Sequence, residues 1–347
     1  MKLFDKLFKS NRANETVSLT TIARTKAIEG FLIPGIINNM KYFFTDLQVY
    51  SDGLIYCWDM VDLDMFKDKL DKGWVVTSIP DGETISFFSL GNWKIEQGNW
   101  LHTKETLYGY VYSLVNKLNP TLQNLHNYKG SNTKIVNGVN VAKHAIPNMR
   151  PYHFDAADSS LSNRVYGEKF NFFYRSSDAK AYLVNLSVYK SGKIEITNLP
   201  QKKILKIEDL DSLIKKDTLT TDLKTGEIIT ILNLGSFKII SGNGVGIDSK
   251  IDELYNKFNE MNGKENTIAK CARIFELYKQ TPTKALREGL RDAYEAVPKH
   301  QRMFVGTMDT KDYEVRLVIY GDIVKKEWED YYGYDYPYED MPKPIDE

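Results

Sequence analysis

The sequence predicts an α+β protein: two tandem copies of a ββαβββα module, then a C-terminal α+β unit. Three observations predict it. First, "LQVYSDGLIY" at 47–56 is echoed by "LSVYKSGKIE" at 186–195, an offset of 139. Second, the echo resumes at an offset of 144, where Thr77, Gly82-Glu83, Leu90-Gly91, Lys94-Ile95 and Gly98-Asn99 match Thr221, Gly226-Glu227, Leu234-Gly235, Lys238-Ile239 and Gly242-Asn243. At 143, Tyr112, Asn116 and Asn119 match Tyr255, Asn259 and Asn262. Order is kept and the gaps fall in loops, five extra residues entering the second copy. A fixed offset of this kind marks a repeated supersecondary unit. Third, strand-like runs punctuated by turn residues alternate with helical spacing inside each copy.

The elements follow in order. Residues 1–39 form an N-terminal extension whose "MKLFDKLFKS" puts Leu3, Phe4, Leu7 and Phe8 on one helical face. That face suits either a weak interfacial anchor or a short helix docking on its own protein. Module 1 spans 40–120. "FFTDLQVYSDGLIYCW" reads as two strands around Ser51-Asp52-Gly53. "DLDMFKDKLDKG" reads as a helix with Asp62 as N-cap and Gly73 just past its C-terminus. Strands broken at Pro80-Asp81-Gly82 and Gly91-Asn92 follow, then a closing helix behind Thr103 with Leu107, Val111, Leu114 and Leu118 on its apolar face. Residues 121–179 connect the copies. Module 2 spans 180–263, with "IEDLDSLIKKD" and "IDSKIDELYNKFNEMN" at the helix positions. In the C-terminal helical and hairpin unit, 264–326, one helix carries Cys271 on its apolar stripe. A second has Thr281 as N-cap, Pro282 at N1 and Pro298 as stop. "RMFVGTMDTKDYEVRLVIYGD" then reads as strand, turn, strand. An acidic, Tyr-rich tail fills 327–347.

Bulk composition bounds the function. Lys+Arg and Asp+Glu both count 46, so no net field recruits a nucleic acid. The two cysteines fit neither a disulfide framework nor a CxxC pair, which suits a reducing, cytoplasmic compartment. No apolar run approaches the roughly 18 residues of a membrane span. No P-loop, GxSxG, HExxH or strand-linked GxGxxG occurs. No cofactor or metal is expected, and the balance favours a protein that is not an enzyme.

Candidate partner-binding residues come from the differences between copies. Trp58, Trp74, Trp93 and Trp100 align with Thr197, Thr218, Phe237 and Gly244, and Phe87-Phe88 with Ile231-Leu232. Trp and Tyr anchor interfaces, although a bulkier core in copy one explains the same pattern. Alternation along a strand keeps Phe87 and Phe88 from one face, so at least one covers a second surface. The tail adds Tyr331, Tyr332, Tyr334, Tyr336 and Tyr338 among eight acidic residues and one lysine, a strip suited to a basic partner or to packing on its own domain.

An alternative catalytic set is Asp309, Lys311 and Asp312, with Arg316 nearby, as a metal-dependent hydrolase or nuclease would need. The same residue types are those that turns prefer. His144, Arg150, His153, Asp155 and Asp158 form a looser set that meets no metal spacing. "SGNGVGID" at 241–248 precedes a helix and could cradle a phosphate or simply turn.

Asp52-Gly53-Leu54-Ile55, Cys57-Trp58, Gly73-Trp74-Val75-Val76-Thr77 and Pro80 resemble an uncharacterised bacterial domain family (a DGLIxCW…GWVVT pattern). Residues 290–321 are similar to a recurrent module of bacterial hypothetical proteins. The opening "MKLFDKLFK" is similar to the starts of small cytosolic bacterial proteins, including immunity proteins encoded beside polymorphic toxins. The second copy lacks the pattern's tryptophans, so a function carried by that pattern would sit in copy one. The resemblance and the residues together lead to an expected cytosolic protein-binding protein, immunity or defence-associated in its specific form. A metal-dependent hydrolase or nuclease and a structural protein are the alternatives.

Overall fold

The computed structural model describes residues 30–123, 125–126, 133–136, 139–142, 152–154, 164–176, 180–337 and 341–345. Two compact units emerge, one from the stretch ending at Ile85 plus Gln97–Met149 and Asn233–Ser236, the other from Ser86–Glu96, Arg150–Leu232 and Phe237–Glu347. The fold is mixed α+β. Among the described residues no helix is long and apolar enough to cross a membrane.

Strands β1 (Gly30–Asn39) and β2 (Lys41–Tyr50) form a hairpin in unbroken register, Gly30 opposite Tyr50 and Asn39 opposite Lys41. β3 (Ile55–Tyr56) returns on β2, and β4 (Met60–Val61) on β3. Helix α1 (Leu63–Asp71) starts where the Asp62 carboxylate accepts the Met65 N–H at 2.8 Å, and it stops at Gly73, whose φ of 73° suits a residue without Cβ. β5 (Val75–Val76) pairs with β1. β6 (Thr84–Phe87), β7 (Gly91–Trp100) and α2 (Lys104–Leu118) complete the copy, α2 being capped by Thr103 as its sequence predicts. Leu47, Val49, Ile55, Phe66, Leu70, Leu107 and Val111 form one core. β8 (Thr133–Val136) and β9 (Val139–Ala142) make a separate hairpin.

The second copy repeats this order. β10 (Tyr152–Phe154) pairs with β11 (Arg164–Arg175), and β11 with β12 (Ala181–Tyr189). Then come β13 (Lys193–Thr197), β14 (Lys203–Lys206), α3 (Leu210–Lys215), β15 (Leu219–Thr220), β16 (Ile228–Ile231), β17 (Gly235–Gly244) and α4 (Ile247–Met261). β12 and β16 run parallel, the exception in an otherwise antiparallel set of described pairings. The duplication is written in the backbone. Ile37 faces Val75 as Tyr174 faces Leu219. The left-handed positions Gly53, Gly73, Gly82, Ser89 and Gly91 recur as Gly192, Asp217, Gly226, Asn233 and Gly235. A Cβ on Gly91 would lie 2.3 Å from the Asn243 carbonyl oxygen, and one on Gly235 would lie 2.5 Å from that of Asn99, so the same close approach is made once in each unit. Each copy holds two strands beyond the ββαβββα order, β1 and β4 in the first and β11 and β14 in the second. β1 and β11 share too few identities to extend the alignment upstream of 40 and 180.

The C-terminal part is helical: α5 (Thr267–Gln280), α6 (Lys284–Glu295), a 3₁₀ segment Lys299–Phe304, α7 (Tyr313–Tyr320) and α8 (Ile323–Tyr332). The strand–turn–strand expected at 302–322 is therefore corrected. "YEVRLVIY" has a strand-like composition, but Val315, Val318 and Ile319 are buried in one cluster with Phe275 and Leu290, and a short apolar run does not fix its own period. Thr281 is the C-cap of α5. The N-cap of α6 is Thr283, whose hydroxyl accepts the Leu286 N–H at 3.3 Å.

Candidate interaction surfaces

The tryptophans of copy one part company. Trp93 is fully buried beside Phe87 and Phe173, at ring distances of 5.6 and 5.0 Å, with Phe237 stacked 6.4 Å from Phe87. It is a core residue, unable to touch a partner. Phe87, the last residue of β6, is buried, while Phe88 is 79% exposed in the turn that follows the strand. Trp100 is half-buried.

Trp58 and Trp74 come together. Trp58 sits in the three-residue loop between β3 and β4, where the Cys57 N–H donates to the Asp59 carbonyl at 3.0 Å. Its φ is 69°, a left-handed conformation that a bulky residue adopts at a cost of roughly 1–2 kcal/mol. It remains exposed, 5.1 Å from the Phe43 ring and edge-on to Trp74 at 6.3 Å. Trp74 is half-buried, donates its indole N–H to the Cys57 carbonyl at 3.4 Å, and carries Lys69 Nζ 4.9 Å above its ring. Burial pushes the Cys57 thiol up to about 11, so it is an inert apolar group.

The tail is organised around Trp328, which is buried on α8. Tyr313, Tyr332, Tyr336 and Tyr334 surround it at 4.7, 4.3, 5.5 and 6.1 Å. Tyr331, Tyr332 and Tyr334 still face solvent, as do Glu329, Asp330 and Asp335. Glu327 pairs with Arg316. Tyr338 lies outside the described residues.

Asp309 is exposed and Lys311 sits in a turn with φ 53°, its N–H donating to the Thr307 carbonyl at 2.9 Å. Asp312 accepts the Tyr294 hydroxyl at 2.5 Å, and burial together with that carboxylate pushes the Tyr294 hydroxyl's pKa up. The three residues serve a turn and a helix start. Among the described residues no group of three His, Cys, Asp or Glu side chains could hold a metal ion. His144, Arg150, Asp155 and Asp158 lie outside the described residues, and His153 falls in β10. "SGNGVGID" leads into α4, whose N-cap Gly246 makes no side-chain cap.

A polar cluster escaped sequence reasoning. Lys250 is buried on α4, with its ammonium 2.7 Å from Glu253. Glu253 also meets His300 Nε2 at 2.9 Å and the Ser89 hydroxyl at 3.1 Å, while His300 Nδ1 meets the Ser249 hydroxyl at 2.9 Å. Burial depresses the lysine's pKa. Burial alone would raise that of Glu253, but the hydrogen bond from His300 and the charge of Lys250 outweigh it and hold the carboxylate low. The order serine–histidine–carboxylate resembles that of a hydrolase triad, yet the carboxylate is shared among three partners. It acts as an ionic joint between 86–96, α4 and the 299–304 turn. A signal existed, because Lys250 stands at the fourth position of α4, the one that Leu107 fills in the equally long α2.

Comparison with known families gives two matches. The family described as "Domain of unknown function (DUF7638)" matches residues 18–122 and 157–265, and "Domain of unknown function (DUF7639)" matches 266–330. The first pair of segments brackets the two copies, and the third covers the helical part. No curated protein and no solved structure matches the chain.

Proposed function

The chain belongs to the DUF7638 family of domains of unknown function, and from that premise we propose that it works by binding another protein. The observation that carries this reading is the tyrosine cluster on α8. Its exposed rings are already held against the buried indole of Trp328. Rings fixed before contact lose little conformational freedom on binding, and tyrosines rank among the strongest interface anchors. The carboxylates of Glu329, Asp330 and Asp335 beside them favour a basic partner surface. The specific form of the proposal is an immunity or defence-associated role in the bacterial cytoplasm, the partner being a basic toxin domain. The similarity of "MKLFDKLFK" to immunity-protein starts supports that form.

The test is affinity capture with the full chain against Tyr331→Ala/Tyr334→Ala. Truncation after Lys326 is unsuitable, because it removes Trp328 from a packed cluster. A stoichiometric partner held by the wild type, released by salt and lost from the double variant supports the proposal. A partner held equally by both moves binding away from this surface. Loss of one anchoring tyrosine is expected to weaken binding by about 2 kcal/mol, close to 30-fold.

A further inference from the structure

The two copies differ at the position of Trp74, and in the second copy that place is a cleft. The backbone equivalence is tight. The Asn38 N–H donates to the Trp74 carbonyl at 2.8 Å, and the Arg175 N–H donates to the Thr218 carbonyl at 2.8 Å. Trp74 and Thr218 also donate their own N–H groups to Lys69 and Leu213 in the same geometry, 2.9 Å in both. Copy one fills the space above this point with the Trp74 indole, packed on Trp58 and joined through it to Phe43. In copy two Trp74 becomes Thr218 and Phe43 becomes Tyr182. The five-residue insertion falls here as well: the loop Cys57–Asp59 is replaced by the longer arm 198–202 between the longer strands β13 and β14. The result is an open cavity of about 610 Å³, within the range of small-molecule sites.

Its lining has a definite chemistry. Tyr174 and Tyr182 form an aromatic floor, and Leu199 and Pro200 come from the inserted arm. Three cations, Arg175, Lys203 and Lys216, face one carboxylate, Asp217. Arg175 is already occupied, by Asp217, by Glu227 and by the Asp222 carbonyl. Lys203 Nζ lies 5.0 Å from the Tyr174 ring centre, and Lys216 is exposed at the rim. We propose that this cleft is a ligand site for a small aromatic carboxylate. Its ring takes the volume that the Trp74 indole occupies in copy one, and its anion sits by Lys203 and Lys216. A flat ring suits a floor of tyrosines, and a single anion can sit by Lys203 and Lys216, for which no carboxylate partner is present among the described residues.

The test uses the full chain and indole-3-propionate as probe, with binding followed by calorimetry and by saturation-transfer NMR. Saturable binding with Kd of about 1 mM or tighter is expected, the range a fragment of this size reaches. Thr218→Trp, which restores the first copy's residue, should abolish it. Lys203→Ala/Lys216→Ala, both exposed and outside the core, should weaken it at least about tenfold while leaving the thermal midpoint in place. The uncharged 3-indolepropanol and the ring-saturated 3-cyclohexylpropionate should each bind markedly less. The proposal is overturned by an absence of saturable binding to the wild type. Full affinity in the double lysine variant, or 3-indolepropanol binding as well as the acid, overturns it equally.

Discussion

α2 and α4 are the same helix twice, each 15 residues long and each closing its copy. Their buried faces differ at several positions, among them one where α2 buries Leu107 and α4 buries Lys250. The difference recurs nearby, with Trp74 against Thr218 and a three-residue loop against an inserted arm. Left-handed turns and strand register stayed fixed because each depends on a backbone conformation that few residues tolerate, whereas the side-chain caps Asp62 and Thr103 have no capping counterpart before α3 and α4. Side chains that only fill space were free to diverge. Copy one spent that freedom on aromatic and aliphatic bulk, and copy two on charge and an open cleft. A duplicated scaffold thus separates what the fold requires from what can be specialised.

The strongest way to break the comparison is at an aromatic core that draws on both copies. Trp93 and its counterpart Phe237 pack in a single aromatic cluster with Phe87 and Phe173. Trp93→Ala is expected to lower the unfolding free energy by about 4 kcal/mol, measured by urea denaturation, with Phe237→Ala close behind. A loss below about 1 kcal/mol would mean that this cluster does not hold the fold.

The next effect concerns the charged joint. Glu253→Gln leaves Lys250 buried without its counter-charge, and a loss of about 3 kcal/mol is expected near neutral pH. Adding Lys250→Leu, the first copy's residue, should recover most of it. The pH dependence has a definite sign. The Glu253 carboxylate is held below its unfolded value, so its contribution is complete above roughly pH 4.3 and fades as pH falls through the lower folded value. Urea midpoints of wild type and Glu253→Gln should therefore converge on acidification below pH 4. Midpoints that stay parallel would remove the carboxylate from the account.

Much of this was legible in the sequence, for identifiable reasons. Asp62, Gly73 and Thr103 announce themselves because capping is local chemistry, readable within four residues. The repeat was legible through its turns. The hairpin assigned to 302–322 failed because α7 is a short apolar run that only its neighbours make helical. The joint of Lys250, Glu253 and His300 needs three segments brought together, and no local spacing encodes that. The cleft was half visible: the insertion and the Trp74 to Thr218 exchange were both in the alignment, but only strand pairing puts them at one place.

A smaller effect compares the two cysteines. Both thiols are pushed by burial up to about 11, Cys57 in the first copy's core and Cys271 among the C-terminal helices. Against an ordinary value of 9.0, the thiolate fraction at pH 8 falls about 100-fold, and access falls with it. Native-state alkylation should be slower than for a free thiol by at least that factor. Separate rates for the two sites would show which region opens first. Rapid labelling of Cys57 would contradict a closed core beneath Trp58.

The smallest expected effect is the most pointed for function. Trp58 holds a left-handed conformation, φ 69°, and in the longer arm of copy two the left-handed residue is Asn198, φ 64°. Asparagine tolerates that region, and a bulky ring does not. Trp58→Asn therefore relieves backbone strain of roughly 1 kcal/mol while giving up a partly exposed ring contact with Phe43 of similar size. The net change in stability should lie within about 1 kcal/mol of zero, read from the urea midpoint. A loss above about 2 kcal/mol would make Trp58 a structural residue, its exposure incidental. A neutral result would mean that the first copy keeps a strained, solvent-facing tryptophan that its fold does not need, which is the pattern expected where a side chain is held for contact with something else.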